Sequence, residues 1–137
     1  MMAVAEASQE SLKQRLNVSG GNGLKGTLRV SGAKNSALVL MTASLLSEET
    51  IELTNIPSLT DIDGMSAILE ALGVQVDRQS DCIRLNAAEL RGSAPPYELV
   101  NSLRASFFSI GPLLGRLGHA RVPLPGGCRI GARPVLE

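Results

Sequence analysis

One order of segments occurs twice along this chain, and it limits the folds open to it. A run rich in small apolar residues starts at a basic side chain, a short alternating segment follows, and an apolar residue then meets proline. The first pass is Lys34 to Leu46, Thr50 to Thr54 and Ile56-Pro57. The second is Arg104 to Leu114, Ala120 to Leu124 and Leu124-Pro125. Between them Ile62, Met65, Ile68, Leu69 and Leu72 keep helical spacing, and Gly73 falls where a helix-ending glycine belongs. Val74 to Val76 and Cys82 to Leu85 then read as short strands around the polar turn Arg78 to Asp81. The pattern predicts an α/β fold built from repeated units.

Local signals refine this expectation. Lys34 to Leu46 is apolar nearly all round, which predicts a buried helix, with Ser31-Gly32 before it as a cap. Thr60 is the expected N-cap of the next helix, with Asp61 and Asp63 favouring its positive end. Glu98 to Leu114 predicts a long helix that Pro112 ends or kinks, and Ala120 to Leu124 a strand. Arg15 to Ser19 and Lys25 to Ser31 alternate around Gly20-Gly21-Asn22-Gly23, which predicts a β-hairpin. Three segments follow: a flexible stretch over 1–13, the hairpin over 14–33, and an α/β region over 34–137.

Composition excludes several functions. Only Tyr97, Phe107 and Phe108 are aromatic, so the core must come from Leu, Val, Ile and Ala. Stacking on single-stranded nucleic acid needs more aromatics than that. Thirteen basic residues against thirteen acidic ones argue against a whole-protein nucleic-acid or membrane binder. No apolar run approaches the ~20 residues that a membrane-spanning helix needs. Cys82 and Cys128 are far apart, and His119 is the single histidine, so no zinc-binding spacing exists. The N-terminus lacks an apolar leader run, so the expected setting is the cytoplasm, with reduced thiols.

The charge balance of zero conceals three blocks. Residues 1–46 carry five basic and two acidic side chains, 47–90 two and nine, and 91–137 six and two. No carboxylate side chain lies between Leu99 and Leu136, yet Arg104, Arg116, Arg121, Arg129 and Arg133 do. Such a stretch is prepared for an external anion, or else for carboxylates brought over from the acidic middle. Arg104 sits in an apolar run, where a buried guanidinium needs a partner. Lys34 and Asn35 stand at an expected helix start, where phosphate binds well. Cys128 lies in the loop Gly126-Gly127-Cys128-Arg129-Ile130-Gly131, beside cations and free backbone N–H groups that favour a thiolate. Cys82, in an apolar strand, reads as an ordinary buried thiol and should react more slowly than Cys128. The glycine loop is neither a Walker loop nor a dinucleotide fingerprint, because the following residues and the spacing differ.

Ser31-Gly32-Ala33-Lys34-Asn35, Leu103-Arg104-Ala105-Ser106 and Leu124-Pro125-Gly126-Gly127-Cys128-Arg129-Ile130-Gly131-Ala132-Arg133-Pro134-Val135 together resemble the UDP-N-acetylglucosamine 1-carboxyvinyltransferase family. These are enolpyruvyl transferases of the EPSP-synthase-like superfamily. The similarity runs from about Arg15 to Val135. It implies an inside-out α/β barrel of repeated units, of which this chain holds about one and a half. It also implies that the hairpin belongs partly to a second domain and that 34–137 is an incomplete first domain.

The reaction implied by the resemblance joins phosphoenolpyruvate to the 3′-hydroxyl of UDP-N-acetylglucosamine and releases phosphate, with no metal and no cofactor. Cys128 becomes the catalytic cysteine. Lys34, Arg104 and Arg133 become phosphoenolpyruvate-binding cations, and Asn35, Arg133, Pro134 and Val135 contacts to the UDP-sugar. Leu136-Glu137 departs from the family pattern, which has Asp after Pro-Val. The general base and a further arginine have no counterpart in this chain, so the expectation is no turnover by the chain alone and self-association through open apolar surface. Two alternatives stand beside this reading. One is a shikimate-type enolpyruvyl transferase, disfavoured by the cysteine in the loop. The other is a non-catalytic module that binds an anion or nucleotide.

Overall fold

The computed structural model describes residues 16–21 and 23–124. The run from Lys34 forms helix α1 (Lys34–Ala43), continued by a 3-10 turn over Ser44–Leu46. Strand β1 is Thr50–Leu53, helix α2 Thr60–Ala71, strand β2 Gln75–Gln79 and strand β3 Cys82–Asn86. Helix α3 (Tyr97–Ser102), a 3-10 segment (Arg104–Ser109) and helix α4 (Ile110–Leu117) follow.

The buried face and the end of helix α2 are legible from its residues. Ile62, Met65, Ile68, Leu69 and Leu72 are all buried, as their spacing requires. Beyond its end the Val74 N–H donates to the Leu69 carbonyl at 3.0 Å and the Gly73 N–H to that of Glu70 at 2.9 Å. This is a Schellman closure, and it sets Gly73 at φ +99°. A side chain there would also run into the Glu89 carbonyl, so glycine is required twice over. At its start the cap is Leu59, not Thr60, and the Leu59 carbonyl accepts from the N–H groups of Ile62 at 3.0 Å and Asp63 at 3.3 Å. The expected position of the cap is one residue late.

Helix α1 buries Ala37, Leu38, Met41 and, in the 3-10 turn, Leu45. Val39, Leu40 and Leu46 are exposed, so one face is covered and the expected all-round burial is not met. The extended Ala33 precedes the helix with no side-chain cap bond, so Ser31 does not cap it.

The sheet is antiparallel, in the order β1-β3-β2. Both β1 and β2 run against β3, so they are parallel to each other, with α2 as the crossover: a split β-α-β unit. Ile83 and Leu85 of β3 are buried beneath the helices, with Ile51, Leu53 and Val76 beside them. The other face aligns Glu52, Arg84 and Asp77 across the three strands. Arg84 donates to Glu52 at 2.7 Å, and that bond, with the carboxylate's charge, raises the pKa of Arg84. Cys82 shares this outer side and is half-buried, so it is not the core thiol expected from its apolar neighbours.

The expected helix from Glu98 to Leu114 is broken. Leu103 adopts φ −132° and ψ 106°, which sends its side chain into the core between α3 and the 3-10 segment. The Ser109 hydroxyl donates to the Ser106 carbonyl at 2.7 Å, an alternative to helical pairing that serine readily takes. Pro112 falls in the first turn of α4, where its missing N–H is no loss, so it neither ends nor kinks the helix. Ala120 to Leu124 is not a strand: the Arg121 N–H donates to the Ser93 carbonyl at 2.9 Å, but no ladder develops.

The described residues of the expected hairpin form no strand either, and Leu16, Val18, Leu24, Leu28 and Val30 are exposed. A two-stranded ribbon with nothing packed beneath it is marginal in water. Asn22, at its turn, lies outside the described residues. No helix among the described residues is long and apolar enough to cross a membrane.

Candidate functional site

Three of the nominated residues, Lys34, Asn35 and Arg104, are among those described. Cys128, Arg133, Pro134 and Val135, with the rest of the loop from Pro125 onward, lie outside them.

Lys34 and Asn35 open α1 and are both exposed. Their place is fixed from behind by Gly32. A side chain at Gly32 would overlap the backbone carbonyl of Asn55, so the Ser31-to-Asn35 segment lies flush against the loop that follows β1. Asn55 itself sits at φ 59°, a conformation that asparagine tolerates better than most. The Ile56 N–H donates to the Asp81 carbonyl at 2.8 Å and ties this loop to the β2–β3 turn. The lysine is held from the side as well: its ammonium pairs with the carboxylate of Asp61 in the first turn of α2.

Arg104 opens the 3-10 segment that packs against α1, and it is half-buried. The fold thus brings the start of the 3-10 segment and α1 onto neighbouring elements. Among the described residues no carboxylate forms an ion pair with Arg104.

Arg116 behaves differently. Its guanidinium donates to the carbonyls of Leu45 at 3.0 Å and Ser47 at 2.8 Å, and reaches Glu48 at 3.3 Å. It closes the end of the α1 run and is not available to a ligand. Every carboxylate in the described ion pairs (Glu48, Glu52, Asp61, Asp63 and Asp81) comes from the acidic middle block. The acidic middle therefore serves as internal counter-charge for Lys34 and Arg116, but not for Arg104. No group of three metal-ligating side chains gathers among the described residues.

A family model for EPSP synthase (3-phosphoshikimate 1-carboxyvinyltransferase) matches residues 18–137. The chain belongs to this family. It is 96% identical over all 137 residues to a UDP-N-acetylglucosamine 1-carboxyvinyltransferase of Synechococcus sp. (strain CC9605). It is 66% identical over the same length to one of Parasynechococcus marenigrum (strain WH8102). In each case it spans 32% of the relative, about a third of its length. A crystal structure of the enolpyruvyl transferase NikO from Streptomyces tendae superposes with a TM-score of 0.64 over 74% of the chain and 24% of that protein, at 24% identity. At that identity the likeness speaks for the fold alone, and it agrees with the EPSP-synthase-like architecture expected from the motifs.

Two parts of the site were not nominated from the sequence: Asp61 as the partner of Lys34, and the Gly32–Asn55 seat. By its position in the sequence Asp61 is a helix-start carboxylate. Nothing in the spacing of Lys34 and Asp61 announces that their two helix starts meet.

Proposed function

We propose that this chain carries substrate-binding and catalytic residues of an enolpyruvyl transferase that joins phosphoenolpyruvate to the 3′-hydroxyl of UDP-N-acetylglucosamine. The observation that carries this reading is the 96% identity, over the whole chain, to a relative bearing that activity's name. The acceptor hydroxyl adds to C2 of phosphoenolpyruvate while a proton goes to C3, making a methyl group. The C2–O bond to phosphate then breaks, a methyl proton leaves, and the enolpyruvyl ether and phosphate result.

Fixed cations stabilise the polyanionic substrate and the charged intermediate. Lys34 and Arg104 take that part together with Arg133, and a guanidinium such as Arg104, which has no carboxylate partner among the described residues, suits it. Cys128 provides the thiol that adds to phosphoenolpyruvate or protonates its methylene carbon. Asn35, Arg133, Pro134 and Val135 hold the UDP-sugar. The cytoplasmic setting, the division at residues 14–33 and self-association of the chain belong to the same proposal.

The test is phosphate release by the full-length protein. It should require both phosphoenolpyruvate and UDP-N-acetylglucosamine, and Cys128→Ala should abolish it. Release with shikimate 3-phosphate in place of the UDP-sugar overturns the choice of acceptor.

A further inference from the structure

The starts of α1 and α2 are unlike. α2 carries Asp61 and Asp63 in its first turn, whereas α1 carries no acidic residue in its own. The two carboxylates of α2 reach in different directions. Asp63 pairs with Arg78 of β2, whose guanidinium also reaches the Pro57 carbonyl at 3.4 Å. That brace ties the α2 start to the sheet. Asp61 instead meets the ammonium of Lys34. The pair is open to an incoming ligand, with the Lys34 side chain 44% and the Asp61 side chain 35% exposed.

A lysine ammonium is a point charge on a flexible stem with three donors. One carboxylate engages part of that capacity and leaves the rest for a second anion. The stem, free to swing in water, is held by Asp61 beside the starts of α1 and α2. We propose that Asp61 is a positioning residue for Lys34, orienting its ammonium toward the reacting phosphoenolpyruvate. This rests on the reading above that Lys34 binds that substrate. The carboxylate also has an opposing effect, because its charge repels a polyanion in the ground state. Removing it therefore eases substrate binding while loosening the group that must be in place as charge develops.

Steady-state kinetics of the full-length protein separate these effects. In Asp61→Asn, kcat should fall about tenfold or more while KM for phosphoenolpyruvate stays level or drops. Asp61→Glu should restore much of the lost kcat. Lys34→Ala combined with Asp61→Asn should be no slower than Lys34→Ala alone, since one acts through the other. Asp63→Asn, which breaks the neighbouring brace, should not reproduce the split between kcat and KM. Unchanged kcat in Asp61→Asn, or losses that multiply in the double variant, overturn the positioning role alone. Wild-type kinetics in Lys34→Ala overturn both that role and the assignment of Lys34 to phosphoenolpyruvate.

Discussion

Arg104 and Arg116 stand in the same acid-free stretch, and from the sequence they invite the same explanation. The fold separates them. Arg116 lies where the α1 run ends, so carbonyls left without helical partners at Leu45 and Ser47 become its acceptors. Its side chain is only 13% exposed, and it links two segments far apart in sequence. Arg104 begins the segment packed against α1, at the extended break after α3, and no described carboxylate comes to meet it. A run of cations without carboxylates is therefore not uniformly reserved for an outside anion. Which guanidinium is left for a ligand depends on where helix ends fall in three dimensions.

The largest expected effect concerns Arg104. In the full-length protein Arg104→Ala should lower kcat/KM for phosphoenolpyruvate about a hundredfold, because the charge-assisted contact proposed for it with a desolvated anion would be lost. Its unfolding free energy in urea should change by no more than about 0.5 kcal/mol. Arg116→Ala should show the reverse. Two carbonyls lose a charged donor, which costs about 2 kcal/mol of stability by urea titration. Kinetics measured well below the unfolding midpoint should hardly move. If Arg104→Ala destabilises as much as Arg116→Ala, the contrast between a ligand-facing and a structural arginine breaks down.

The same contrast marks what the sequence could convey. Helix α2 with its glycine end, and the existence of two strands after it, follow from spacing, because each choice there is local: 3.6-residue periodicity, a left-handed glycine, alternation. The turn does not, since β2 runs on to Gln79 and Arg78 and Gln79 pair with Ile83 and Cys82, which shortens the expected Arg78-to-Asp81 turn. The break at Leu103 was not legible, since its cause is a core position that only the packed α3 and 3-10 segment create. The strand expected over Ala120 to Leu124 failed for a related reason, as alternation without a partner edge makes no ladder. Among the candidate site residues, Lys34 and Asn35 stand out by their helix start and Arg104 by its apolar run, and the family motifs add their roles. Their internal partners do not stand out, because an ion pair such as Lys34 to Asp61 depends on two helix starts converging. Arg116 meets Glu48 of the acidic middle, one of the two readings open from the sequence, but its carbonyl acceptors at Leu45 and Ser47 carry no sequence signature.

The smallest effect asks what holds Arg116. Glu48 is the only side-chain carboxylate in its described ion pair, at 3.3 Å, and it is 80% exposed. Water and salt screen such a contact, and holding two long side chains together has its own entropic cost. Glu48→Gln should therefore lower unfolding free energy by about 0.5 kcal/mol or less, and the difference should shrink as salt is raised. The carbonyls of Leu45 and Ser47 remain in that variant, at 3.0 and 2.8 Å, so the guanidinium keeps its place. A loss as large as that of Arg116→Ala would mean that the carboxylate, not the helix end, anchors Arg116. The distinction from Arg104 would then rest on the acidic middle block supplying a counter-charge to one arginine and not to the other.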